Sequence, residues 1–187
     1  MTSLFDSIQK RINLTDELKK EIEFFFNREE IKNKEEILRE GQYCKKLYFL
    51  ESGTVRTYYF HQDKEVSSWF YKEGLYFTSW YSFYTSNAGY ESIDVLEDSV
   101  VYSITHDNFI KLINKSQEFE RFARLLAEEQ IAYTDQFFKG FMFYSAKEKY
   151  QLLLAYFPDI ELKVKLGYIA SFLGISRETL SRIRANH

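Results

Sequence analysis

Three arginines and a glutamate near the end of the chain have the types and spacing to read DNA. They lie in the run from 166 to 184, LGYIASFLGISRETLSRIR. Arginine can donate two parallel hydrogen bonds to guanine, and glutamate can accept from cytosine N4. If the stretch after Ser176 is helical, Arg177, Glu178, Ser181, Arg182 and Arg184 fall on or near one outer face. Such a face suits a major groove. Two helices and a turn must hold it there. Ala170 is small enough for a second helix to cross close above it. Gly174 ends the first helix, where a left-handed backbone is cheap only for glycine. Ile175 is expected to be buried in the turn, and Ser176 can cap the next helix by accepting a backbone N–H. Leu180 and Ile183, three apart, turn the apolar side inward. The pattern is that of a helix-turn-helix. A helical hairpin with a glycine between its helices is the plainer reading. The full set of spacings, with the arginines outside, favours DNA reading by Ser176, Arg177, Glu178, Ser181, Arg182 and Arg184.

The charge distribution agrees. The 187 residues carry 25 basic and 28 acidic side chains, a net charge of −3. From Lys163 to His187 there are five basic residues and one acid, so the basic excess is confined to the end of an acidic chain. That suits a small domain that meets phosphate. A charge this modest implies weak binding by one subunit, and pairing on a palindrome is the natural remedy.

Hydrophobic residues make up 45% of the chain, enough for a real core, and no apolar run has membrane-spanning length. The N-terminus has no signal-peptide core, so a cytoplasmic location is expected. Cys44 is the one cysteine, which excludes an internal disulfide or a cysteine cluster.

The elements ahead of the motif fall into two kinds. Thr15 can cap a short helix with Leu18, Ile22, Phe25 and Phe26 on one face. From Glu35 to Ile104 the chain runs in short strand-like pieces. The segments 46–50, 54–60 and 65–70 are separated by turns, including His61-Gln62-Asp63-Lys64 and Glu73-Gly74. A later strand, Ser92 to Leu96, is expected to meet Ser99 to Ile104 across a Glu97-Asp98 corner. This spacing predicts a small jelly roll, a double-stranded β-helix, and so an α+β fold. After a short helix from Asp107 to Asn114, a long one is expected from 116 to about 139. Phe119, Phe122, Leu126, Tyr133 and Phe137 mark its apolar face, which is expected to pair two subunits; packing on its own roll is the alternative. Ser145 can cap a helix from Ala146 to Phe157, which Pro158 stops. The division expected is 1–139 and 140–187.

A β-roll, a long connecting helix and a C-terminal helix-turn-helix together resemble the Crp/Fnr family of bacterial transcription regulators. GQYCKKLYFLESGTVRTYYF is similar to the family's strand–Gly–Val–strand segment, with Gly53 and Val55 at its centre. GISRETLSRIR is similar to its recognition helix, and the positions carried over as base readers are Arg177, Glu178 and Arg182. The resemblance implies a homodimer on double-stranded, palindromic DNA, contact with RNA polymerase, and a cyclic-nucleotide-binding-like sensor domain at 1–139. The chain stops at His187, so a wing after the recognition helix is expected to be reduced or missing.

The ligand site departs from the family pattern. Relatives that bind cyclic nucleotides use a Gly-Glu pair and a later Arg. Here Gly74 precedes Leu75, and Thr78-Ser79 stands where the acid would fall. No Lys or Arg occurs between Lys72 and Lys111, an interval holding Glu73, Glu91, Asp94, Glu97, Asp98 and Asp107. A buried phosphate normally needs a charge-assisted donor. Cyclic AMP is therefore not expected to bind in the usual way, and no cofactor is implied. Nine aromatics crowd residues 69–84. Trp69, Phe77, Trp80 and Tyr81 are candidates to line a pocket for a flat or apolar effector, although core packing is the commoner fate of such clusters.

An enzyme is disfavoured. A metal-dependent jelly roll needs clustered histidines, and His61, His106 and His187 have no ligand spacing. No metal site, phosphate loop or nucleophile elbow is present in the sequence. The alternative to a regulator is a sensory or protein-binding module whose helix-turn-helix no longer reads DNA.

Overall fold

The computed structural model describes residues 1–185. The chain opens with α1 (Thr2–Gln9) and α2 (Asp16–Phe25). Thr15 caps α2, its hydroxyl accepting the Leu18 amide at 3.2 Å. Leu18, Ile22 and Phe26 are buried, whereas Phe25 is half-buried. α1 has no side-chain cap and no acid in its first turn. Its start therefore carries no sequence signal.

The strands are β1 (Asn27–Ile31), β2 (Glu36–Leu38), β3 (Lys46–Ser52), β4 (Val55–His61), β5 (Lys64–Tyr71), β6 (Tyr76–Phe77), β7 (Ser92–Val95) and β8 (Ser99–Thr105), with α3 (Trp80–Thr85) between β6 and β7. They form two antiparallel sheets, one in the order β1-β8-β3-β6 and the other in the order β2-β7-β4-β5. The fold is α+β, an N-terminal β-sandwich followed by helices. The expected hairpin between β4 and β5 forms, with His61 opposite Lys64. Gln62 and Asp63 both take positive φ, 49° and 59°, as a tight hairpin turn requires. The expected meeting of Ser92–Leu96 with Ser99–Ile104 does not occur. β7 pairs with β2 and β4, and β8 with β1 and β3. The Glu97-Asp98 corner carries the chain from one sheet to the other. Gly53 has φ 112°, and a Cβ there would lie 2.1 Å from Ser99 Oγ, so only glycine fits.

β3 is buried on both of its faces from Leu47 to Leu50, which is why it reads as a continuous apolar run. Along β3, Tyr48 and Leu50 point between the sheets, where they join Val55, Phe77, Ile93, Val95 and Val101. Leu47 and Phe49 point the other way, against the N-terminal helices and α4 (His106–Lys115). Thr105 caps α4, and Ser116 caps α5 (Gln117–Phe143) by accepting the Phe119 amide at 3.2 Å. α6 (Ala146–Tyr156), α7 (Ile160–Lys163), α8 (Leu166–Leu173) and α9 (Arg177–Ala185) complete the described chain. Ser145 and Glu148 form a reciprocal capping box at α6.

α5 corrects the expected pairing face. Phe119, Phe122 and Leu126 are buried against this chain's own helices and β-sheet, and Phe137 is buried against α6 and the roll. Tyr133 is 46% exposed, with its ring 6.4 Å from Tyr156. The stronger apolar periodicity belongs to the intramolecular core, because a helix lying on a sheet buries its most apolar face there. A different stripe is left outside. Ala127, Ile131, Thr134 and Phe138 follow four-three-four spacing, and Ile131 and Phe138 are 69% and 64% exposed. α5 also runs four residues past the expected boundary at 139, and the chain turns at Tyr144-Ser145 instead.

Candidate nucleic-acid interface

The turn between α8 and α9 is built by backbone geometry. Gly174 sits at φ 68°, ψ 31°, the left-handed region. The Ile175 N–H donates to the Ala170 carbonyl at 3.0 Å, and the Gly174 N–H donates to Ser171 at 3.2 Å. These two bonds close the helix end and reverse the chain. Nothing would obstruct a Cβ at Gly174, so the requirement for glycine there is purely conformational. Ala170 and Leu180 are buried where the helices cross, and Ile183 is half-buried. Ser176 Oγ accepts the Thr179 amide at 3.2 Å and so caps α9.

Ser176, Arg177, Glu178, Ser181, Arg182 and Arg184 are all exposed. The hydrogen bond from Ser176 holds the Glu178 carboxyl below its ordinary pKa. The three arginines differ in their surroundings. Arg177 lies along α8, so close that a Cβ on Gly167 would come within 2.5 Å of its Nη2. Arg182 Nε donates to the Glu178 carbonyl at 3.4 Å along the same helix. Arg184 is turned back to Glu161 of α7, with Nε 2.5 Å from its carboxylate. Tyr150 of α6 donates to the same carboxylate. Arg184 therefore braces α9, while Arg177, Glu178, Ser181 and Arg182 form the outward cluster.

α8 in turn docks on the outer face of the β4–β5 sheet. Ser171 Oγ accepts the Ser67 amide at 3.2 Å, and Phe172 packs edge-on against Phe70 with centroids 5.4 Å apart. At the centre is Arg56, whose residue is 2% exposed. Its Nε and Nη2 donate to the two Asp94 carboxylate oxygens at 2.9 and 2.7 Å, and Nη1 donates to Glu65 at 2.9 Å. The guanidinium is sandwiched between the Tyr58 and Tyr168 rings, 4.1 and 3.8 Å from their centroids. Burial opposes the charge, but the bonds and charge of Asp94, then Glu65, outweigh it and raise the Arg56 pKa. Neither Arg56 nor Tyr168 carried a sequence signal for this role, since they are 112 positions apart.

The four candidate pocket aromatics are not brought together. Phe77 is stacked on Tyr48 in the sandwich core, with centroids 4.9 Å apart. Tyr81 is exposed beside Tyr90. Trp69 and Trp80 do share a cleft, which lies between the roll, α5 and α8.

Residues 28–116 match the family described as the cyclic nucleotide-binding domain. No characterised protein matched the sequence significantly. Solved structures with this fold include FixK2 from Bradyrhizobium japonicum, at 17% identity and a TM-score of 0.75 over 86% of this chain and 83% of that one. A protein from Eubacterium rectale described as a transcriptional regulator of the Crp/Fnr family aligns at 20% identity and 0.71, over 92% and 83%. The catabolite activator protein of Thermus thermophilus aligns at 19% and 0.58, over 93% and 84%. At these identities the likeness is one of fold. No helix among the described residues is long and apolar enough to cross a membrane.

Proposed function

We propose that this protein is a sequence-specific, DNA-binding transcription regulator of the Crp/Fnr type that acts as a homodimer. The observation that carries this reading is the outward cluster on α9. Arg177, Glu178, Ser181 and Arg182 are exposed on a capped helix, held by a glycine turn over a buried Ala170–Leu180 crossing. A helix so presented can enter a major groove, with the arginines donating to guanine and Glu178 accepting from cytosine. Pairing is assigned to the Ala127, Ile131, Thr134 and Phe138 stripe, exposed except at the half-buried Ala127, whose spacing suits two helices side by side. Two recognition helices would then address half-sites about one helical turn, roughly 34 Å, apart.

Selection of bound duplexes from a random pool tests the reading. A two-fold palindrome should emerge, and Arg182→Ala should weaken binding to it by about 1–3 kcal/mol and relax specificity at the contacted base. No enrichment with or without cell extract, or an Arg182→Ala variant that binds like the parent, refutes DNA reading. Ile131→Glu should convert the dimer to monomer in sedimentation; an unchanged dimer places the interface elsewhere.

Cyclic AMP is not the effector in this reading. The interval from Lys72 to Lys111 supplies no cation, and the nearby Arg56 is already committed to Asp94 and Glu65. Titration with cyclic AMP should leave tryptophan fluorescence and melting temperature unchanged.

A further inference from the structure

The six acids between Lys72 and Lys111 are not equivalent. Glu73 and Glu97 share Lys163 at 3.7 and 3.4 Å, Asp94 holds Arg56 at 2.7 Å, and Asp98 holds Lys32 at 2.9 Å. Asp107 lies 4.0 Å from His106. Glu91 is left, and among the described residues no Lys, Arg or His lies within ion-pair distance of it. It is also half-buried, and burial pushes its carboxyl above the ordinary range. A carboxylate taken out of water without a cation costs stability. The Ser79 hydroxyl offsets part of that cost, but no cation does.

Glu91 lines a cleft of about 590 Å³, a size suited to a small molecule. Trp69 and Tyr71 of β5, Trp80 of α3 and Phe137 of α5 form walls of it. Aromatic faces carry negative potential and attract cations. Lys149 also borders the cleft, but its ammonium lies 5.3 Å from the Phe141 ring centroid, at the α5–α6 end. A carboxylate and aromatic rings together repel an anion and complement a cation.

We propose that this cleft binds a small organic cation, a primary ammonium carried on an aromatic body. Glu91 accepts its N–H groups, and Trp69, Tyr71 and Trp80 pack around it. Charge-assisted bonds to Glu91 then replace the water that burial removed. Phe172 of α8 borders the same cleft, so occupancy couples to the docking of the helix-turn-helix. That coupling rests on the DNA-reading proposal; binding of the cation does not.

The chain supplies its own probe, because its two tryptophans, Trp69 and Trp80, both line the cleft. Phenethylammonium and benzylammonium are titrated into the full-length protein without DNA, with intrinsic fluorescence as the readout. At least one should give a saturable change, with dissociation in the micromolar-to-millimolar range. Neutral 2-phenylethanol and anionic phenylacetate should give none. Glu91→Gln, which keeps the shape and removes the charge, should weaken the ammonium roughly tenfold or more, with an unchanged circular dichroism spectrum. Trp80→Leu should weaken it as well while Trp69 still reports. The proposal is overturned if neither ammonium saturates, if 2-phenylethanol binds as tightly, or if Glu91→Gln binds the ammonium undiminished. DNA selection can fail while these titrations succeed, and the reverse also holds, so the two proposals stand or fall separately.

Discussion

Arg56 and Glu91 are two charges drawn out of water in one β-roll, and the protein treats them in opposite ways. Arg56 has every demand met: a bidentate bond to Asp94, a third bond to Glu65, and an aromatic ring on each face. Glu91 has aromatic neighbours and no cation. A satisfied buried ion is a structural joint, here fastening α8 to the roll through Tyr168. An unsatisfied one is a cost the fold retains, and such costs gather where a ligand completes the set. Removing a partner from the first should be ruinous, whereas neutralising the second should be harmless or helpful.

The largest effect is expected from Arg56→Ala. It leaves Asp94 buried beside Glu65 with no cation, and should cost about 3–5 kcal/mol in denaturant unfolding. A loss below about 1 kcal/mol would mean that water reaches the site and the cage is not a joint. Tyr168→Leu keeps the ion pairs and removes one aromatic face. It should cost about 1–2 kcal/mol and make the segment from 145 onward easier to cleave by protease. Unchanged cleavage would show that Ser171 and Phe172 hold α8 without the cage.

The smallest effect, and the one of opposite sign, is Glu91→Gln without ligand. The folded Glu91 pKa is raised above the ordinary 4.5. Its contribution to stability is therefore fully present below the unfolded value and is lost as pH rises through the folded value. Gln, which resembles the protonated acid, should match the parent well below pH 4.5 and exceed it at neutral pH by less than about 1 kcal/mol. Melting curves across pH measure this difference. A neutral-pH loss on substitution would mean that Glu91 is satisfied within the fold, and the contrast with Arg56 would disappear.

Local patterns in the chain were sufficient for the turn and the caps. The left-handed Gly174, the capping residues Thr15, Ser145 and Ser176, and the inward Leu180 are settled by interactions spanning a few residues. The alternation of β4 with β5 and the Gln62-Asp63 turn are equally local. Those features place the candidate DNA-reading helix and give the roll its strands.

Partnership between distant residues was a matter for the tertiary structure alone. Arg56 and Tyr168, and Arg184 and Glu161, meet only after the chain has folded back on itself. β7 lies between β2 and β4 rather than beside β8, a placement that adjacency along the chain does not reveal. The most apolar face of α5 goes to the chain's own core because a sheet is there to cover it, which leaves Ile131 and Phe138 exposed. The shortage of cations between 72 and 111 is written in the sequence. Which acid goes without one depends on where Lys32, Arg56 and Lys163 can reach, and charges pair by distance in space rather than along the chain.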